Sequence, residues 1–364
     1  MLNEFKYHTN INKSLYNAFL FPVGWLCGHT RLGNKMSMLV PAISATVNFE
    51  AMLTLIEVEK DCVWNRWLQE LFVYFQIEAP VIPQSMTKDW ENFGESHFTQ
   101  YIPIKTKPKG NFTVSGYRQN WRYAQSFAEM HAVNEMFKFT TKYQQHADKT
   151  IADARRQFNV DPEEKATTVG VHMRIGDLRE IDRITFGYQM ANTEFYSNAL
   201  SNATKALDTK SNIIFIVGTD SPKEALKLLS NVTAIYNFYF LHGTDFEDFA
   251  TLASCDHMIT SGGTYGWWAA WLTKGLVFYH AQFAKPGTGF AKDFNNENFF
   301  PPHWVAVNSS YPHEAREEEM GSTDDNPIPE VYLPCDHCLQ GKQLVTVQLG
   351  KKLSLYSLTT TLSS

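Results

Sequence analysis

Three ionisable side chains follow one short apolar run near the middle of the chain. The run 168–171, Thr-Val-Gly-Val, is typical of a buried strand. His172, Arg174 and Asp177 come directly after it. A core strand does not need these groups, because an unpaired charge is costly to bury. The carboxyl ends of strands in open α/β sheets are where ligands bind, so the pattern predicts a ligand site here.

The chemistry of these side chains suits an anionic ligand and a proton transfer. The guanidinium of Arg174 suits a diphosphate through its planar fork of donors, and the alternative is an ion pair with Asp177. Asp177 is a candidate general base for an acceptor hydroxyl or, alternatively, a residue that holds the loop in shape. Glu180 and Asp182 are rival candidates for the base, with a solvated acidic loop as the alternative. His172 is expected to orient the loop, with a catalytic role as the alternative.

Two further loops follow apolar runs in the same way. The run 212–217 is followed by Gly-Thr-Asp, which makes Asp220 a candidate acceptor of hydrogen bonds from a ribose or a base. The run 257–260 is followed by a glycine-rich loop and a helix, an arrangement that binds anions through backbone N–H groups and hydroxyls. The residues that offer these groups are Ser261, Gly262, Gly263 and Thr264. Because parallel strands end at one edge of a sheet, all three loops are expected to converge.

Apolar runs that alternate with helical patterns after residue 167 predict a parallel, doubly wound sheet. Strands are expected at 169–171, 212–217, 234–241, 257–260 and 276–279. Helices are expected at 193–207, 222–229, 245–253 and 267–272. Asn192 or Thr193 is the expected N-cap of the first of these helices, and Ser221 is that of the second, followed by a first-position proline.

The first part of the chain is less regular. Residues 16–27 are expected to form a strand and a turn, and residues 35–49 carry apolar side chains at helical spacing. Pro41 interrupts that pattern and predicts a kink or a late helix start. Residues 115–143 are expected to form one long helix, and the polar segment 151–167 is the predicted domain boundary.

Length, charge and hydropathy limit the classes of function. A chain of 364 residues is long enough for two domains, and a net charge of −6 gives no reason to expect a nucleic-acid partner. The apolar run 15–27 contains Asn17, Pro22 and Gly24, so we interpret it as a first strand rather than a targeting or membrane segment. Asn-x-Ser/Thr sequons favour a secretory lumen. They lie at Asn12, Asn111, Asn202, Asn231 and Asn308.

The sequence has no convincing metal motif. Cys335 and Cys338 flank His337 like half of a zinc knuckle, but no second ligand pair has suitable spacing. A local disulfide or free thiols fit these cysteines better, and the odd total of five excludes a complete disulfide framework. No Asp-x-Asp pair stands where a metal-bound nucleotide-sugar site needs one. We therefore expect a metal-independent site.

Four segments resemble, in order, motifs of the galactoside α-1,2-fucosyltransferase family, glycosyltransferase family 11. Residues 30–36, TRLGNKM, resemble its Gly-Arg-Leu-Gly-Asn-Gln-Met, and residues 169–177, VGVHMRIGD, resemble its His-x-Arg-Arg-x-Asp. Residues 248–275 resemble its block with Leu-x-x-Cys-x-His and a Gly-Phe-Trp-Ala-Ala-Tyr-like helix. Residues 299–307, FFPPHWVAV, resemble its Phe-Leu-Pro-Glu-Trp-x-Gly-Ile. The resemblance covers roughly residues 20–310.

This resemblance implies an α/β fold of the GT-B type, in which two Rossmann-type domains face a cleft. It implies an acceptor-side domain at 1–160, a GDP-fucose-binding domain at 161–312 and an acidic linker with an unassigned tail at 313–364. GDP-fucose would be the donor substrate, and a galactose-terminated glycan the acceptor. Fucose would pass to the 2-hydroxyl of a terminal β-galactoside with inversion, and with neither metal nor cofactor.

The resemblance also assigns residue roles. Arg174 would bind the donor diphosphate and stabilise the leaving GDP, which is typically a large catalytic effect. Across the cleft, the first domain would contribute Arg31, Gly33 and Asn34. The second domain would line the nucleotide-sugar site with Ser261, Thr264 and Tyr265. The loop pattern adds Asp220 and Gly262 as candidates for the same site.

Some positions depart from the family pattern. Ile175 stands where the family has a second arginine, which would remove a cation near the phosphates. Lys35 replaces the family's glutamine and is expected to restore part of that charge. Thr30 replaces its glycine. The alternative function is therefore a diverged, catalytically weak relative that binds a nucleotide sugar or a glycan.

The family's location implies the Golgi lumen and a type II membrane anchor. No anchor is visible in this sequence, so contact with a membrane is expected only through an anchor missing from this chain.

Overall fold

The structure is a computed structural model. It describes residues 18–20, 32–49, 52–53, 55–57, 73–76, 79, 81–94, 98–106, 108–114, 116–160, 166–207 and 212–310. Several predictions lie outside these residues. They concern Asn12, Thr30, Arg31, Cys335, His337, Cys338 and the tail at 313–364.

The first half combines short parallel strands with one long helix in its described part. These elements are β1 Ala18–Leu20, α1 Leu32–Phe49, β2 Met52–Leu53, β3 Leu55–Glu57, β4 Val81–Pro83, a 3-10 turn Gln84–Thr87, β5 Glu91–Phe93 and β6 Phe112–Val114. Strands β2, β1, β6 and β5 form one sheet in that order, and every neighbouring pair is parallel. Strands β3 and β4 form a second, parallel pair.

Helix α1 begins at Leu32, well before Pro41, so the predicted late start is wrong. Met36, Leu39 and Ile43 are almost fully buried. A proline removes one hydrogen bond from a helix, but tertiary packing supplies most of a helix's stability in a folded protein. The buried faces of α1 therefore keep it helical on both sides of Pro41.

Two helices stand where one long helix was predicted at 115–143. A 3-10 turn Trp121–Ala124 precedes α2 Phe127–Met136 and α3 Thr141–Gln157. Ser126 begins α2 with a capping box, in which its hydroxyl accepts from the Glu129 N–H and the Glu129 carboxylate accepts from the Ser126 N–H. The single helix was wrong because this cap starts a new helix inside the apolar pattern. Helix α3 also enters the segment that was predicted as the domain boundary.

The chain after residue 166 alternates strands and helices, as predicted. Its elements are β7 Thr167–Met173, a 3-10 turn Asp177–Arg179, α4 Ile181–Phe186, α5 Thr193–Leu207, β8 Ile213–Thr219, α6 Pro222–Leu229, β9 Asn237–Phe240, α7 Asp245–Ala253, β10 His257–Thr260, α8 Thr264–Leu272, β11 Val277–His280, α9 Gly289–Asp293, α10 Asn296–Phe299 and β12 Val305–Val307. Asn192 caps α5, because its side chain accepts from the Phe195 N–H at 2.9 Å. Ser221 is the N-cap position of α6, although its side chain makes no capping hydrogen bond.

All neighbouring strands of the second sheet are parallel, in the order β9-β8-β7-β10-β11-β12. Numbered along the chain, this is the 3-2-1-4-5-6 order of the Rossmann fold. The order reverses between β7 and β10, and ligands of such sheets bind at the carboxyl ends of the strands there. The predicted α/β, GT-B-like fold is confirmed by this sheet and by the separate parallel sheet of the first half.

One apolar cluster joins the two halves beneath that edge. It includes Met36 and Leu39 of α1, Phe137, and Trp268 of α8. The Trp268 indole N–H donates to the Ser37 hydroxyl at 2.9 Å, so this tryptophan is both buried and hydrogen-bonded. Burial of an aromatic side chain of this size contributes roughly 2–3 kcal/mol. Among the described helices, none has the length and apolar character needed to cross a membrane.

Candidate active site

Arg174 lies just beyond β7 and is held by Asp177. Its Nε donates to Asp177 Oδ1 at 2.9 Å, and its Nη2 donates to Oδ2 at 2.7 Å. Burial acts to lower the pKa of Arg174, but the Asp177 carboxylate outweighs burial and raises it. The guanidinium is therefore permanently charged. Its third nitrogen, Nη1, makes no hydrogen bond within the described residues and is left for a ligand.

Asp220 closes the loop that carries Arg174. Its Oδ1 accepts from the backbone N–H groups of Ile175 at 2.9 Å and Gly176 at 3.0 Å. This joins the end of β8 to the end of β7, as the predicted convergence of these loops requires. The side chain of Asp220 is exposed. One of its oxygens is committed to the loop, so its contribution to a ligand site includes shaping the backbone beside Arg174.

Ile175 points away from this edge, into the core. Its side chain is fully buried in an apolar cluster with Val171, Ala191, Phe195 and Val217. The expectation that position 175 faces the phosphates is therefore wrong. The chain alternates direction after β7, so Arg174 is directed to the ligand edge and the next side chain is directed inward.

Lys35 is buried in α1, where its residue is only 4 % exposed. Its compensation for a charge near the phosphates stays a prediction.

The glycine-rich loop after β10 packs directly on Arg174. The Ser261 hydroxyl accepts from the Arg174 N–H at 2.9 Å, and the Ser261 N–H donates to the His172 carbonyl at 3.2 Å. Gly262 and Gly263 have φ values of +114° and +79°. A Cβ on Gly263 would lie 2.6 Å from Arg174 Nη1, so only glycine lets the guanidinium approach this backbone.

Helix α8 begins at the same place. Gly263 is its N-cap and provides no side-chain hydrogen bond to the first turn. The first N–H groups of a helix need an acceptor from outside it and attract negative charge. The start of α8 and Arg174 therefore lie side by side at the point where the strand order reverses.

Gly33 and Asn34 bring the first half of the chain to this edge. A Cβ on Gly33 would lie 2.4–2.6 Å from backbone atoms of Thr264 and Tyr265, so α1 meets α8 backbone to backbone. Asn34 Oδ1 accepts from Thr264 Oγ1 at 2.6 Å and from Gln119 Nε2 at 3.0 Å. These two donors fix the orientation of the amide. The Asn34 Nδ2 group makes no hydrogen bond within the described residues and is available to a ligand.

His172 is buried beneath the start of α8. A Cβ on Gly266 would lie 2.2 Å from His172 Nδ1, and that nitrogen has no hydrogen-bond partner in the described part of the chain. Burial lowers the pKa of His172 to about 4. Its ring, 5.4 Å from that of Tyr265, is therefore neutral near pH 7. The His172 carbonyl oxygen accepts the hydrogen bond from the Ser261 N–H, and the neutral ring is not protonated for acid catalysis.

Tyr265 is directed toward α7. Its hydroxyl donates to the Asp245 carbonyl at 2.5 Å, and its ring lies 5.2 Å from that of Phe249. Burial raises the pKa of this phenol well above its ordinary value. Tyr265 therefore supports the start of α8, and its hydroxyl is already engaged.

Three residues beside the predicted set were missed. Gln119 orients Asn34, and Tyr188 lies with its ring centroid 5.6 Å from Arg174 Cζ. Gly266 leaves the space that His172 occupies. Gly266 carried a weak signal, because a glycine inside a helix often marks a close approach. Gln119 and Tyr188 had no such signal in the sequence. Gln119 contacts Asn34, which is distant along the chain, and the position of Tyr188 depends on the turn at Gly187.

Metal ligation has no evident framework in the part of the chain that the structure describes. No group of three or more His, Cys, Asp or Glu side chains with a suitable arrangement occurs there. The absence of a metal requirement stays a prediction.

Comparison with known proteins gives the family. The model of glycosyl transferase family 11 matches residues 69–308. Galactoside alpha-(1,2)-fucosyltransferase 2 of Sus scrofa is 24% identical over 237 residues, which cover 64% of this chain and 67% of that protein. Galactoside alpha-(1,2)-fucosyltransferase 1 of Mus musculus is 32% identical over 145 residues, which cover 39% of this chain and 38% of that protein.

The chain thus spans about two thirds or less of the length of these curated relatives. Among solved structures, NodZ alpha-1,6-fucosyltransferase soaked with GDP-fucose aligns with a TM-score of 0.44 and 14% identity, over 71% of this chain and 93% of that chain. The family match extends over most of the sequence. The chain belongs to glycosyl transferase family 11.

Proposed function

We propose that the chain is a galactoside 2-α-L-fucosyltransferase. It transfers L-fucose from GDP-fucose to the 2-hydroxyl of a terminal β-galactoside on a glycan, with inversion. Family membership supports this proposal, as do the relatives in Sus scrofa and Mus musculus that are named galactoside fucosyltransferases.

The observation that carries the proposal is the state of Arg174. Two of its nitrogens are fixed by Asp177, and Nη1 is left unpaired within the described residues at the reversal point of the sheet. When GDP leaves the sugar, negative charge grows on its diphosphate. A donor that is already oriented stabilises that charge without reorganisation, and one such donor typically contributes about 3–4 kcal/mol. Arg174 suits this task.

A second set of donors surrounds the same place. The start of α8 has no side-chain cap, and the amide of Asn34 is oriented with its nitrogen unengaged among the described residues. Backbone N–H groups at a helix start bind phosphate well. These groups and Arg174 supply the positive charge that a metal ion supplies in other nucleotide-sugar enzymes. We expect transfer to proceed without a divalent cation.

The alternative of a catalytically weak, ligand-binding relative rested partly on Ile175. That side chain is buried in the core, so its identity does not by itself remove a cation from the ligand edge. Arg174 is positioned at that edge by Asp177 and by the Ser261 loop. An active enzyme is therefore the better supported proposal.

The proposed setting is the Golgi lumen, which stays a prediction together with a membrane anchor. The four sequon asparagines in the described residues are exposed, as attachment of a glycan requires. They are Asn111, Asn202, Asn231 and Asn308.

The test is a transfer assay with GDP-fucose and a panel of oligosaccharides that end in β-galactose, in the presence and absence of EDTA. We expect an acceptor that gains one fucose, an α-1,2 linkage by NMR and a rate that EDTA leaves unchanged. Acceptors whose galactose 2-hydroxyl is replaced by hydrogen are the control and should stay unmodified. Absence of transfer to every galactoside, with GDP-fucose bound, would favour the ligand-binding relative instead.

A further inference from the structure

The short helix α4 exposes its apolar side chains to solvent. Ile181, Ile184 and Phe186 are 83%, 53% and 48% exposed, whereas Arg183 between them is only partly exposed. Isoleucine and phenylalanine are ordinarily buried, and arginine is ordinarily outside. Such local reversals are expected where a side chain serves a function. Arg183 is therefore a candidate functional residue, although the sequence pattern did not indicate it.

The ring of Tyr188 brings Arg183 close to Arg174. The Cζ atom of Arg183 lies 5.9 Å from the ring centroid, and that of Arg174 lies 5.6 Å from it. Both distances are within the range of cation–π interactions. Burial raises the pKa of the Tyr188 phenol, and the two guanidinium charges act against that rise. The guanidinium groups of Arg174 and Arg183 therefore both border the ring of Tyr188.

The backbone keeps this arrangement in place. Gly187 ends α4 with φ +112° and returns the chain to Tyr188. A Cβ at Gly187 would lie 2.0 Å from Thr288 Oγ1. The Lys285 N–H donates to the Gly187 carbonyl at 2.8 Å. The turn between Arg183 and Tyr188 is therefore fixed against the 285–288 loop.

Arg183 differs from the other arginine of this segment in its partners. Arg179 Nη1 lies 3.2 Å from Glu224 Oε1, and its side chain is 55% exposed, so it forms an ordinary surface ion pair. Within the residues that the structure describes, Arg183 forms no ion pair. Its side chain hydrogen-bonds to Tyr188, whereas its buried Nε donates no hydrogen bond. A buried donor without an acceptor is costly. An anionic ligand beside Arg174 would provide that acceptor.

We propose that Arg183 binds the diphosphate of the nucleotide-sugar donor together with Arg174. This inference rests on the proposed function. Arg174 has only Nη1 left after its contacts with Asp177. A diphosphate carries several acceptor oxygens and more than one negative charge, so a second guanidinium beside the ring of Tyr188 suits it. Arg183 thereby provides a second cation near Arg174, although position 175 holds an isoleucine.

The experiment measures the affinity of GDP and of guanosine by calorimetry for the wild type and three variants. Arg183→Gln removes the charge, Arg183→Lys keeps the charge without the fork, and Arg179→Gln is the matched control. We expect Arg183→Gln to weaken GDP binding by about tenfold and Arg183→Lys by about threefold. Guanosine, which has no phosphate, should bind all four proteins within about twofold of the wild-type value. Arg179→Gln should bind GDP like the wild type.

Two outcomes would overturn the inference alone. One is GDP binding by Arg183→Gln within about twofold of the wild type, and the other is an equal loss of GDP and guanosine, which marks a general structural defect. If Arg183→Gln unfolds, Arg183→Lys decides by the same comparison. A wild-type protein that binds guanosine but gains nothing from the diphosphate of GDP would instead contradict the proposed function.

Discussion

Arg174 and Asp177 are joined by two hydrogen bonds, from Nε to Oδ1 at 2.9 Å and from Nη2 to Oδ2 at 2.7 Å. Both carboxylate oxygens therefore accept from the guanidinium. Such a bidentate contact fixes the plane of the arginine and directs Nη1 toward Gly263. This geometry indicates that Asp177 positions Arg174. The alternative role of Asp177, as the general base, would require an oxygen that is already engaged by Arg174.

The Asp177→Asn variant separates these two roles. If Asp177 positions Arg174, the loss of one charge-assisted hydrogen bond should weaken GDP binding by about tenfold. The acid limb of the kcat–pH profile should remain, because a positioning residue does not take the proton. A base, by contrast, typically contributes about 100- to 10,000-fold to kcat. Unchanged GDP affinity with a kcat loss of that size and no acid limb would assign the base to Asp177.

The Ile175→Arg variant tests the direction of the side chain that follows Arg174. The change restores the family motif but places a cation in a fully buried apolar cluster. We expect the free energy of unfolding in urea to fall by about 3 kcal/mol or more, and GDP affinity not to improve. Ile175→Val is the control, with an expected loss of about 1 kcal/mol. Tighter GDP binding at unchanged stability would mean that position 175 faces the ligand edge after all.

The Gly33→Ala variant tests the contact between α1 and α8. Its Cβ would overlap backbone atoms of Thr264 and Tyr265, which cannot rotate away as a side chain can. We expect a loss of about 1–3 kcal/mol in the free energy of unfolding. Gly110→Ala is the matched control, because nothing lies within 4 Å of its Cβ. Equal stability of the two variants would show that the helices are not in close contact at Gly33.

Acid should destabilise the protein through His172. Burial lowers the pKa of His172 to about 4. An unfolded chain protonates histidine near pH 6.5, so between these values the unfolded state binds more protons and stability falls as pH falls. A single such group contributes a slope of about 1.4 kcal/mol per pH unit over that window. Denaturation by urea at pH 6.5, 5.5 and 4.5 measures it.

The His172→Gln variant should lose that part of the slope, whatever its stability at neutral pH. His131→Gln, at an exposed position of α2, is the control and should keep the slope of the wild type. His280, with a pKa lowered by burial to about 3, contributes in the same direction in all three proteins and cancels in the comparison. Identical slopes for His172→Gln and the wild type would contradict a neutral, buried His172.

Local signals predicted much of the second half. Helices α5 and α7 and strand β10 have the bounds that were expected, because each is bounded by clear caps or polar residues. The convergence of the three loops followed from the parallel order of their strands. Asp220 confirms it through its contact with the Arg174 loop, and Ser261 confirms it from the other side.

Contacts between residues that are distant along the chain could not be predicted from the sequence. Nothing in the local pattern pairs Thr264 with Asn34 or Asn34 with Gln119, because these contacts depend on how the two halves pack. The direction of Ile175 was missed for a similar reason. Its position after a strand suggested the ligand edge, whereas its burial depends on the residues of α5 and β8 that surround it.

Fucose transfer by Arg174→Ala tests most directly whether this edge holds the diphosphate of a nucleotide sugar. Wild type and variant are compared by kcat/KM for GDP-fucose, with a β-galactoside acceptor and with thermal unfolding as a check of folding. Loss of about 2–4 kcal/mol of transition-state stabilisation predicts a decrease of roughly 30- to 1,000-fold. A folded Arg174→Ala protein that retains activity within about threefold of the wild type would contradict the site.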